Sequence, residues 1–224
     1  MMTSSSTSVM SRMRNILKRL ADSTSGAALV EIAVVMPLFT TLGMYGTEIA
    51  NMTSVNMQVS ELALALADNA ARLGQTDNSG VTPTINETDI DSIMKGAITQ
   101  GDQFGFINSG RVILSSLEFD DDTERQYIHW QRCAGSLVRT SRFGGAGYGL
   151  TGTQINGLGR PGALVSATSN QAVMFVEVIY IYQPLFGRMF VGQTELRKDA
   201  AFIVRDHRNL SPGITGTGGS SHCT

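Results

Sequence analysis

The sequence predicts an α+β protein in which a long N-terminal helix, first membrane-spanning and then amphipathic, packs on a small antiparallel sheet. Three observations lead there. An apolar run of membrane length opens the chain, a helical stripe of apolar residues continues it, and the later half is rich in β-branched and aromatic runs broken by turns. With 224 residues, 42% hydrophobic and 16% charged, the chain is too apolar for disorder and long enough for one substantial core. Its net charge of −2 is spread without a basic patch, which excludes a nucleic-acid partner. Its 24 glycines follow no fixed period, which excludes a collagen-like or solenoid repeat.

Residues 1–26 form a basic leader, with Arg12, Arg14, Lys18 and Arg19 against Asp22, net +3, while the remainder of the chain carries −5. Residues 27–50 follow as the membrane segment. Within it, 27–47 holds fourteen apolar side chains and one charge, Glu31, about the length that crosses a bilayer. The positive-inside rule places the leader in the cytoplasm and the chain beyond residue 50 across the membrane. A secretory signal peptide fits less well, because the apolar run is long and its exit, Gly46 to Met52, offers no A-x-A site. An uncleaved signal anchor stays open as an alternative.

Residues 51–74 continue the helix amphipathically. Apolar residues recur at Ile49, Met52, Val55, Val59, Leu62, Leu66 and Leu73, with Glu61, Asp68 and Arg72 between them, and Gly74 supplies a C-cap. Pro37 is expected to kink this helix. Gln75–Asn86 reads as a linker, and Thr88–Ile98 as a short helix capped by Thr88 with Asp89 and Asp91 in its first turn.

The rest of the head, residues 75–224, is β in character. Arg111–Phe119 and Arg125–Cys133 read as a hairpin across an acidic turn at Asp120 to Thr123, whose spacing does not match a calcium loop. Val173–Tyr182 reads as a buried central strand, and Glu195–Asp206 as another with Ala200, Phe202 and Val204 on one face. Between them, residues 144–162 contain eight glycines. The G-x-G-x-x-G spacings there, Gly147-Gly149-Gly152 and Gly157-Gly159-Gly162, neither follow a strand nor open a helix. They read as a mobile surface loop rather than a dinucleotide site.

Several of these segments resemble one family. Ser25-Gly26-Ala27-Ala28-Leu29-Val30-Glu31 resembles the processing site of type IV pilin-like proteins, and GAALVEIAVVMPLF resembles the opening of TadE-like minor pseudopilins of the tight-adherence (Flp) pilus system. Trp130 to Cys133, Val176 to Phe186 and Phe202 to Arg208 are similar to later parts of that family. Ile32 stands where the pattern commonly has Tyr or Phe. The resemblance implies a pilin-like fold, cleavage by a prepilin peptidase between Gly26 and Ala27, and Glu31 as fifth residue of the mature chain, neutralising the free amine of a neighbouring subunit. The implied partners are that peptidase, other pseudopilins and pilins, the pilus assembly platform and membrane lipid. The implied location is the inner membrane, with the head periplasmic.

An exported domain meets an oxidising compartment. Cys223 sits in a polar tail that offers a free thiol no apolar cover, so a bridge from Cys133 to Cys223 is expected. His129, His207 and His222 with these thiols match no zinc spacing, so no metal or cofactor is expected. Neither G-x-S-x-G nor H-E-x-x-H occurs, and the chain reads as a structural subunit or assembly factor rather than an enzyme. A signal-anchored periplasmic binding domain is the alternative.

Overall fold

The computed structural model describes residues 14–15, 18–19, 24–74, 82–205 and 208–223. Arg12, Asp22, most of the expected linker, Asp206 and His207 lie outside the described residues. The chain divides into two compact units, residues 1–50 and 51–224.

Helix α1 (Thr24–Ala71) runs for 48 residues, about 72 Å at 1.5 Å per residue. In the first unit its surface is apolar and open: Leu29, Val30, Ile32, Val34, Leu38, Phe39 and Leu42 are all exposed. α1 passes through Pro37 without interruption. Proline lacks an amide to donate, and the Thr41 hydroxyl donates to the Pro37 carbonyl at 2.8 Å, as Thr47 does to Gly43 at 2.9 Å. Both hydroxyls are thereby satisfied inside the helix, which suits a segment with no water around it.

In the second unit the remaining turns of α1 bury the middle of the expected stripe, while Met52 and Leu73 at its ends are partly buried and Ile49, in the first unit, is 39% exposed. Val55, Val59, Leu62 and Leu66 are closed from solvent, with Ala63, Ala67 and Ala70 beside them. The alanines leave room for the helix to approach the sheet closely. Gly74, at φ +89°, ends the helical run in the left-handed region.

After α1 come β1 (Ile85–Asn86), α2 (Glu87–Gly101), a 3-10 turn (Asp102–Phe104), α3 (Phe106–Ser109), β2 (Gly110–Asp120) and β3 (Arg125–Ala134). They are followed by β4 (Leu158–Arg160), β5 (Ala163–Val165), β6 (Ala172–Ile181), β7 (Glu195–Ile203) and β8 (Ile214–Thr215). α2 begins two residues earlier than Thr88 as cap would allow. Asn86 is the N-cap: its side-chain oxygen accepts the Asp89 amide at 3.0 Å, and the Thr88 hydroxyl donates to that same oxygen. The end of the expected linker is also ordered, since β1 pairs in parallel with β8 from the C-terminal tail.

β3, β2, β6 and β7 form the main sheet in that order, all antiparallel, with β2 and β6 central. Val112, Leu114, Met174, Val176, Val178 and Tyr180 face the helices and join Ile90, Met94 and Phe106 in the principal core. Register shifts between Ser116 and Leu117, where Ser116 pairs with Trp130 but Leu117 with Ile128. The extra residue is His129. This bulge lets Trp130 enter the principal core while Ile128, two positions away, is buried in a cluster on the other face; unbroken alternation would have put both on one side.

That other face is where the glycine-rich run lies, and it is not a free loop. Leu158, Ala167, Ile155 and Val165 pack with Leu117, Ile128, Val173 and Phe175, and Phe143 meets Phe175 edge to face at 4.9 Å. The Ile128 amide donates to the Tyr148 carbonyl at 2.9 Å, and the Gly147 amide donates to the Ile128 carbonyl at 2.6 Å. At Gly149, φ +98°, a side chain would meet the Gln126 carbonyl oxygen at 2.4 Å. Glycine there permits the backbone to lie directly on the sheet edge.

Candidate functional site

Gly26, Ala27 and Glu31 lie on α1 in the first unit. Gly26 has open space where a side chain would stand, while Ala27 and Glu31 are exposed. Glu31 is thus an acid on an apolar helical surface, with Leu29, Val30, Ile32 and Val34 around it also turned outward. α1 is the one helix among the described residues long and apolar enough to cross a membrane. In hydrocarbon such an acid is costly and tends to be paired.

Cys133 and Cys223 belong to the second unit and are joined by a disulfide across 90 positions. The tail reaches this bridge along a tethered path. The Arg208 guanidinium donates to the Ala71 carbonyl at 2.9 Å, at the C-terminal end of α1, where a cation also complements the helix dipole. The Asn209 amide donates to the Pro83 carbonyl at 2.9 Å, β8 pairs with β1, and the Thr215 hydroxyl donates to the Ile85 carbonyl at 2.9 Å. The Ser220 and Ser221 amides donate to Asp91 at 2.8 and 3.2 Å, with both hydroxyls adding to them. The bond from the Ser221 hydroxyl leads the effects that hold the Asp91 carboxyl below its ordinary value. Gly219 is confined, since a side chain there would strike the carboxylate of Glu87, itself buried and paired with Arg132. Asp91, Lys95, Ser220 and Ser221 line an open cleft of about 560 Å³ beside the bridge.

Two polar groupings carry no motif that sequence reading could find. The His129 bulge aims its Nδ1 at Glu118, 2.8 Å away, and Glu118 also accepts the Ser116 hydroxyl at 2.6 Å. The bond to Glu118 outweighs burial and raises the His129 pKa. Glu177 is buried in β6, where it accepts the Ser141 hydroxyl and the Arg142 amide at 3.2 Å, with Arg197 3.7 Å away. Burial raises its pKa against those partners. The one signal for Glu177 was an acid inside an otherwise apolar strand. Among the described residues no three His, Cys, Asp or Glu side chains come together as a metal site.

Comparison with protein-family models, with characterised proteins and with solved structures found no match to this chain.

Proposed function

We propose that this chain is a minor pseudopilin of a tight-adherence type pilus, a structural subunit or assembly factor held in the inner membrane by α1 with its head in the periplasm. The observation that carries this reading is Glu31: a lone acid, five residues beyond Gly26, on the exposed apolar surface of a helix that continues directly into the stem of a folded head. Cleavage between Gly26 and Ala27 would create an amine at the start of the helix. In a bundle of staggered subunits that amine can lie at the depth of a neighbour's Glu31, so each charge gains a partner in a setting where neither is stable alone. The partners of this reading are a prepilin peptidase, other pilins and pseudopilins, and the assembly platform.

N-terminal sequencing of the protein extracted from native membranes tests it. Mature chain beginning at Ala27, and precursor accumulating for Gly26→Val, are the expected results. Native protein that retains its leader would instead identify a signal-anchored periplasmic domain.

A further inference from the structure

The antiparallel register places three loops at one end of the head. Gly110 pairs with Tyr180, Val112 with Ala134 and Ile181 with Glu195, so the start of β2, the end of β3 and the loop from β6 to β7 share that end. The chain enters the head there as well, because the side-chain amide of Asn51, first residue of the second unit, donates to the Tyr182 hydroxyl at 2.8 Å. The Gln183 amide donates to the Ser109 hydroxyl at 3.4 Å and the Ser136 amide to the Ile107 carbonyl at 3.0 Å, which gathers the neighbouring loops.

The loop at this end is apolar and basic. The loop between β6 and β7 reads Gln183-Pro184-Leu185-Phe186-Gly187-Arg188-Met189-Phe190-Val191-Gly192-Gln193, with one cation and no acid. Leu185 is 56% and Met189 73% exposed, and Ile107 in α3 and Val138 in the loop after β3 are exposed too. Phe186 and Phe190 support the loop from within, edge to face at 6.1 Å. At the opposite end of β2 the turn holds Asp120, Asp121, Asp122 and Glu124. The loop is therefore free of acids, and Glu195, the acid that follows it at this end, is bonded to Arg139 and Arg197, whereas the turn at the far end gathers four acids.

We infer that the 183–193 loop is a second membrane contact, seating Leu185 and Met189 in the interfacial layer of the bilayer that holds α1, with Arg188 among the lipid phosphates. The inference rests on the membrane-anchor reading. Asn51 follows the last residue of the apolar run, Thr47, by four positions, about 6 Å of helix. A bilayer that takes up residues 27–47 therefore ends, along the chain, within about one helical turn of Asn51, the residue bonded to Tyr182 at the start of the loop. Apolar side chains and an arginine are what such a layer receives favourably, whereas acids facing an anionic surface would be repelled. The composition of the 183–193 loop meets this requirement.

The test is fluorescence quenching on the full chain in vesicles of phosphatidylethanolamine and phosphatidylglycerol with brominated acyl chains. Trp130, the single native tryptophan, is buried and gives the baseline. Met189→Trp should be quenched severalfold more strongly by brominated lipid than Thr123→Trp in the acidic turn, with the order reversed for aqueous iodide. Leu185→Trp provides the same readout if Met189→Trp misfolds. Equal quenching at both ends overturns the inference, as does shielding of the new indole that appears only at high protein density, which would assign the surface to a second copy. If carbonate extracts the protein from the vesicles, the anchor reading falls and this inference with it. If the chain is retained but the loop stays accessible to iodide alone, only the loop contact is lost.

Discussion

At the scale of single residues, the chemistry of Glu31 and His129 leads to separable expectations. Under the proposed function, Glu31→Leu removes a charge from lipid, so insertion, head folding and processing at Gly26 should persist while assembly fails. Surface pilus counts beside the processed fraction measure this, and normal piliation would remove the assembly role. His129 titrates in the opposite kind of setting, three-quarters covered and bonded to Glu118. Its pKa is higher folded than unfolded. The pair's contribution is therefore complete below the unfolded value, about 6.5, and is lost as pH rises through the folded one. Glu177, also raised, acts in the same direction but from the lower range of carboxylates. Urea unfolding of the detergent-solubilised chain should show stability falling as the pH rises above about 6.5, and His129→Gln should flatten that slope. An unchanged slope would locate the titration elsewhere.

At the scale of elements, the stem shows what pattern alone can reach. The stripe from Val55 to Leu66 was legible because burial on one helical face leaves a 3.6-residue period, and the structure buries those side chains completely or nearly so. Leu62→Ala should cost about 2–5 kcal/mol, and Leu64→Ala on the exposed face less than about 0.5, in denaturant titrations of the same protein. Equal losses would mean that the stem is not packed as described. The β2–β3 hairpin and the central place of β6 were legible for a similar reason, as period-two or continuous apolar runs. The cover on the second face of the sheet was not. A backbone that packs through Gly147, Gly149 and Gly157 leaves no side-chain periodicity to read, and a bulge of one residue at His129 leaves none either. The cap of α2 was misread because Asn86 and Thr88 are both good caps two positions apart, and only the backbone angles choose between them.

At the scale of the whole molecule, the resemblance of residues 25–31 concerns the first unit, whereas most of the structural detail belongs to the second. The two cysteines were readable as a pair because the chain has only two and one lies in a polar tail. The route of that tail was not readable, since it is set by Arg208, Asn209, Ser220 and Ser221 acting through backbone groups. The bridge it ends in has a mechanical consequence. A chain pulled by its helix against its C-terminus can extend only as far as Cys133, because residues 134–222 are short-circuited by the disulfide. β6 and β7 lie inside that closed loop, and β2 and β3 up to Cys133 lie outside it. At about 3.4 Å per extended residue, roughly 300 Å of contour is withheld from tension. Single-molecule stretching from the stem to the C-terminus should therefore gain about that length on reduction, and an unchanged rupture length would show that the bridge carries no load.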